Sequence, residues 1–146
     1  IACHKATLAA FAAAADAAQY PQAGPAWVVA KLYEMNRPRE LSRRMWQDMQ
    51  ARGMRMPLDR PGFDIANFTA PDELVTTAID VADYREHKRQ ALRAHRTQIP
   101  ADSPFLTIPD DLGREWYGVE YYTLLESRVE LPARAGHEHD LFAGLR

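Results

Sequence analysis

Cysteine is nearly missing from this chain of 146 residues: Cys3 stands alone, which excludes an internal disulfide framework and fits a reducing compartment, so a cytoplasmic protein is expected. No apolar run approaches the roughly 20 residues needed to span a bilayer. The alanine-rich start has no basic segment ahead of a long apolar core and cleavage site, so no membrane partner is expected. Positive charge is not in excess either. With 18 Lys and Arg against 20 Asp and Glu, the formal net charge of -2 is the wrong balance for a nucleic-acid binder driven by bulk electrostatics. The chain also lacks a Gly-x-Ser-x-Gly elbow, a Gly-rich phosphate loop, a His-Glu-x-x-His pair and paired cysteines, so it holds no self-sufficient catalytic constellation. An initiator Met is missing too. Ile1-Ala2-Cys3-His4 has no cap or turn chemistry, yet a helical pattern of His4, Leu8, Phe11, Ala12 and Ala15 is already running, so a truncation of a longer protein is expected.

What is present reads as one domain over residues 1–146, of mixed helices and strands. Residues 2–18 predict an alanine-rich helix whose apolar face packs on a sheet. Ala26 to Met35 is an apolar, β-branched and aromatic run such as a covered parallel sheet uses, and is expected to be a central strand. Glu40 to Gly53 predicts a second helix with Leu41, Met45, Trp46, Met49 and Met54 on its apolar side. The prolines between Arg55 and Asp72 predict a long irregular connection that walls a site. Leu74 to Val81 reads as a short strand, Phe105 to Ile108 as extended, Asp110 to Trp116 as a helical turn, and Val119 to Leu131 as a strand or a helix. Pro132 to His139 is expected to be a polar loop, followed by a docked apolar tail from Asp140 to Leu145.

The most informative stretch is Asp80 to Gln98. Tyr84, Lys88, Ala91, Leu92, His95 and Ile99 form one helical stripe, which turns Lys88 and His95 inward, and Arg85, Glu86, Arg89, Gln90, Arg93 and Arg96 form the opposite face. Asp83 and Glu86 make a capping-box pattern, and Ile99-Pro100 marks the end. His95 and Gln98 fall on one side. His87 points outward. His137 and His139 flank Glu138, but neighbouring ligands with no distant partner make a weak metal site, so a solvated loop is expected there and for Asp140. Trp27, Trp46 and Trp116 read as core or pocket-wall residues.

Three segments resemble the LmbE/PIG-L family of zinc-dependent N-deacetylases, in the branch that holds the mycothiol conjugate amidase and the deacetylase of mycothiol biosynthesis. Lys88-x-x-Ala91-Leu92-x-Ala94-His95-x-Thr97-Gln98 is similar to the family's Lys-x-x-Ala-Leu-x-x-His-x-(Ser/Thr)-Gln helix. Ile1 to Thr7 resembles the residues after the last His of its His-Pro-Asp-His motif, and Asp140 to Leu145 the ending of the mycothiol branch, as does Lys31-Leu32-Tyr33 after Pro25-Ala26-Trp27. The resemblance implies the carboxy-terminal part of an α/β, Rossmann-like fold. It implies zinc held by two His and one Asp, with a metal-bound water attacking an amide of a small N-acyl amino sugar or thiol conjugate.

On this resemblance the metal ligands and the base lie outside the chain, one of them just before Ile1, so the chain alone is expected to hold no catalytic zinc and to be inactive. His4, one helical turn from that expected ligand, is then a candidate to orient it, and His95 and Gln98 are candidates to brace loops around the site. Tyr33 and Arg37, after a strand end, are candidates for sugar or acyl contact. The other reading is a non-catalytic interaction module or degraded relative, with an apolar strand edge that also makes a homo-oligomer an expectation. A self-sufficient site at His137 and His139 ranks last.

Overall fold

A computed structural model describes residues 2–54, 61–131 and 136–145. The regular elements are helices α1 (Ala2–Ala14), α2 (Arg39–Ala51), α3 (Arg85–Ala94), α4 (Pro104–Thr107) and α5 (Asp110–Tyr117), and strands β1 (Lys31–Asn36), β2 (Thr77–Asp80) and β3 (Val119–Ser127). The strands lie in the order β1-β3-β2. The mixture of helices and sheet is that of an α/β chain.

The chain forms two compact units, one of Ile1–Glu34, Leu124–Ala133 and Phe142–Arg146, the other of Met35–Thr123 and Arg134–Leu141. In the first unit alanine gives α1 its helical propensity but little to bury, and Phe11 is its one buried residue. The expected sheet-facing stripe is not formed: His4 and Ala12 are exposed, and Leu8 is 38% exposed. Arg128 anchors the unit instead, its guanidinium 4.2 Å over the Phe11 ring. It also donates to the carbonyls of Phe11 at 3.1 Å and Val29 at 3.2 Å. The tail is held by Lys31 Nζ, which donates to the Ala143 carbonyl at 2.8 Å.

The expected central strand is corrected in three ways. Regular pairing begins at Lys31 rather than Ala26, because Trp27 and Val28 are 73% and 63% exposed and Trp27 N–H instead closes onto the Ala14 carbonyl at 2.7 Å. The strand sits at one end of the sheet order, with β3 in the middle. Its direction is opposed to β3 rather than parallel, since Ala30 O meets Arg128 N at one end and Asn36 Nδ2 meets Thr123 Oγ1 at the other.

In the second unit, β3 resolves as a strand because Val119, Tyr121, Tyr122 and Thr123 favour the pleated surface. It pairs antiparallel with β2 in the register Thr77↔Tyr122 to Asp80↔Val119. The core is Met45, Met49, Ile108, Leu112 and Trp116, flanked by Leu41, Trp46, Met54 and Tyr117, so the apolar side expected for α2 packs on α5. The long connection is pinned where Ala70 exchanges backbone bonds with Arg37 and Arg39, at 2.9 and 3.0 Å. Its aromatic residues also pack, Phe63 stacking on Phe68 at 4.8 Å.

Phe105 to Ile108 is not extended. Pro104 opens a helical turn and the Ser103 carbonyl takes the N–H groups of Leu106 and Thr107. The start of α3 also differs from expectation. Asp83 lies within a 3-10 turn, Ala82–Tyr84, and caps nothing; Asp80 accepts the Ala82 N–H at 2.9 Å and shapes the turn from the strand end.

The loop near the end is only partly solvated, and its residues 132–135 lie outside the described ones. Glu138 is 4% exposed, bridges Thr77 and accepts the Thr77 hydroxyl at 3.2 Å, while the His139 Nδ1 meets the Ala78 carbonyl at 2.9 Å. His137 and Asp140 are exposed. Among the described residues no helix is long and apolar enough to cross a membrane.

Candidate functional site

A cavity of about 480 Å³ lies within the second unit. Its walls come from the end of β1 and start of α2 (Arg37, Met45), from α3 (Lys88, His95), and from the α5–β3 junction (Trp116, Glu120). Lys88, Ala91 and Leu92 of α3 and His95 just past its end line this wall, but the stripe is not turned inward throughout: Ala91 and His95 are exposed, and Tyr84 is 63% exposed and does not line the cavity. Phe68 of the long connection also lines it, so that connection does wall a cavity.

Two polar wall residues, Lys88 and Glu120, belong to a three-residue network whose third member, Tyr122, lies outside the lining. Lys88 Nζ lies 2.9 Å from Glu120 Oε1, and the Tyr122 hydroxyl donates to Glu120 Oε2 at 2.6 Å. Alternation along β3 places Glu120 and Tyr122 on one face, two residues apart. The Tyr122 bond, aided by Lys88 and opposed by partial burial, holds the Glu120 carboxyl below its ordinary range. Burial first, and the neighbouring carboxylate second, push the Tyr122 phenol up to about 12. Glu120 and Tyr122 escaped the sequence reading because Val119 to Leu131 stood open between strand and helix, their two-residue spacing being the available signal, and Tyr117 because it falls between that stretch and the turn expected over Asp110 to Trp116.

Arg37 sits 5.8 Å from the Tyr117 ring centroid, in cation–π range. Burial raises the Tyr117 phenol above its ordinary value against the opposing charge of Arg37. Among the described residues Trp116 Nε1 is buried without a hydrogen-bond partner, and the Tyr117 hydroxyl is buried near Arg37. Of the positions singled out in the sequence, then, Arg37 and His95 share this cavity.

The remaining candidates lie elsewhere. Gln98 is exposed beyond the end of α3: the helix stops at Ala94, His95 leaves helical geometry, and the N–H groups of Gln98 and Ile99 fold back onto the His95 carbonyl. His95 and Gln98 therefore do not share a helical side. Tyr33, with Lys31 Nζ 5.4 Å from its ring, and His4, whose Nδ1 is 3.4 Å from Glu34 Oε1, belong to the first unit. The expected outward face of α3 is only partly solvated, since Arg85 and Arg89 reach Asp110 at 3.3 and 3.0 Å.

Among the described residues no three His, Cys, Asp or Glu side chains lie together so as to hold a metal ion, so these residues alone do not fit a zinc site.

No protein-family model matches the chain, but individual curated proteins do. It is 41% identical over 143 residues to a 1D-myo-inositol 2-acetamido-2-deoxy-alpha-D-glucopyranoside deacetylase of Geodermatophilus obscurus, covering 97% of this chain and 48% of that protein. Proteins of the same name from Acidothermus cellulolyticus and Thermobifida fusca are 41% and 39% identical, over 81% and 96% of this chain and 40% and 48% of their own lengths. The chain belongs to the LmbE/PIG-L family to which the Lys88–Gln98 and Asp140–Leu145 segments pointed. Within it, its relatives are the inositol acetamido-glucoside deacetylases, and it spans about half of their length.

Proposed function

We propose that the chain is part of an amidohydrolase that removes the N-acyl group of an inositol-linked glucosaminide in the mycothiol branch, built on a Rossmann-like fold. The observation that carries this is the 41% identity extending over 97% of the chain to a relative named for that substrate. A shared fold alone does not specify a reaction, so the reading rests on this similarity in sequence.

Hydrolysis of an amide in this family takes a Lewis-acid metal and an activated water. We propose that this chain by itself holds no catalytic zinc and releases no acetate, in keeping with the lack of a converging donor set among the described residues. Metal analysis of the purified chain checks this: well under one zinc per chain is expected, and one tightly bound zinc that supports acetate release contradicts it. Tyr33 is proposed to touch the sugar or acyl group. The substrate class is tested with a chimera in which this chain replaces the matching 143 residues of the Geodermatophilus obscurus relative. Acetate release from the inositol acetamido-glucoside, and less from a mycothiol-like thiol conjugate, is expected; preference for the conjugate would move the chain to amidase chemistry.

A further inference from the structure

We infer that α1 and the stretch from Tyr20 to Val28, both in the first unit, form a docking surface whose occupant is the polypeptide making up the half of these deacetylases that this chain does not match. The inference rests on the family relation and not on the reaction.

The first unit buries very little. Of the buried apolar residues among those described, Phe11 alone belongs to it, and the others lie in the second unit. One side chain is too small a core for an independent unit. From Leu8 to Ala14 the helix α1 is apolar all round, the composition of a buried helix, yet Leu8, Ala9, Ala10 and Ala12 are exposed. Trp27 and Val28 are exposed beyond it, as is Tyr20 at 64%. Tyr20 is also the one non-glycine residue with positive φ among the described residues, at 52°, a conformation that is rare for a bulky side chain.

The chemistry of the face narrows what covers it. Residues 6–30 carry a single charge, Asp16, in a chain that is 26% charged. Solvent-facing surface is normally rich in charge, whereas depletion of charge with exposed aromatic residues marks the core of a protein interface. Nucleic acid and anionic lipid would find no basic group there beyond the start of α1, where Lys5 stands. An apolar protein surface fits. The relatives supply one: the match takes in 97% of this chain, the first unit included, and each relative continues for about as many residues again.

Cys3, exposed on α1, serves as the reporter. The full chain, and the chimera in which it replaces the matching 143 residues of the Geodermatophilus obscurus relative, are treated with a maleimide and the Cys3 peptide is followed by mass spectrometry. Labelling about tenfold or more slower in the chimera is expected, since a covered helix must open before it reacts. Trp27→Ser should leave the Tm of the isolated chain unchanged and lower that of the chimera by about 5 °C or more, the loss of a buried aromatic residue. Neither readout needs substrate. A chimera that hides Cys3 yet releases no acetate therefore removes the deacetylase reading and leaves this inference standing.

Should the chimera not fold, the full-length relative gives the same readout from a single Cys at the position aligned with Leu8, which should resist labelling in the native protein and react once it is unfolded. Equal labelling of Cys3 in chain and chimera, rapid labelling at that position of the native relative, or a Trp27→Ser substitution that costs the chimera nothing overturns the inference. So does Cys3 protection that arises in the isolated chain at high concentration but not in the chimera, which assigns the face to a second copy.

Discussion

At the scale of the residue, Glu120 ties the chemistry of the cavity to stability. Its carboxyl is depressed chiefly by the Tyr122 hydroxyl and then by Lys88, so the stabilisation is present above the ordinary value of 4.5 and fades as the pH falls through the lowered native value. Tyr122 is raised from 10.0 to about 12, so its contribution is present below pH 10 and lost as the pH climbs through the native value. Glu120→Gln should therefore flatten the stability profile below pH 4.5 in urea unfolding followed against pH; an unchanged acid limb contradicts the network. His4 belongs at this scale too. It is half-exposed beside Glu34, so His4→Ala should leave the fold intact. In the chimera described above, a role in orienting a metal ligand predicts turnover lowered by about 10–100-fold, with KM unchanged and partial recovery in His4→Gln. Parental turnover would return His4 to a surface contact with Glu34.

At the scale of the element, the contact of α2 with α5 carries the core of the second unit. Met49 is fully buried, and Met49→Ala should cost about 2–5 kcal/mol in chemical denaturation, because the cavity left behind adds to the lost transfer energy. The tail of the first unit is fixed by backbone geometry. Gly144 has φ +79°, and a Cβ there would lie 2.6 Å from the Glu130 carbonyl, whereas Gly62 has the same φ with open space around it. Both substitutions by Ala incur the strain of a left-handed conformation, about 1 kcal/mol or more. Gly144→Ala should lower the Tm further than Gly62→Ala, and equal losses would mean that the close approach is relieved at no cost.

Much at this scale was legible from side-chain period. The buried side of α2 and the cavity wall of α3 follow from apolar and polar residues recurring at three and four positions. Boundaries were less legible, since Asp80 and the Ser103 carbonyl act through turns whose hydrogen bonds depend on backbone direction. The apolar stretch Ala26 to Met35 misled for a related reason. Its first residues have the composition of a buried strand, but composition does not say whether another element covers them. Glu138 shows the converse: a polar segment is buried because Thr76, Thr77 and Ala78 of a distant element complete its bonds, and no local pattern encodes that partner.

At the scale of the whole molecule, sequence similarity and fold carry different parts of the function. The similarity covers nearly all of this chain and about half of each relative, which joins it to a deacetylase family. The described residues add a cavity walled in part by the Lys88–Glu120 pair and contain no converging metal ligands. The most direct measurement is acetate release by the folded chimera from the inositol acetamido-glucoside. Catalytic turnover that depends on added zinc, with the isolated chain inactive under the same conditions, is the predicted result. A chimera that folds cooperatively and binds zinc yet releases no acetate would contradict the deacetylase reading and leave a non-catalytic module in its place.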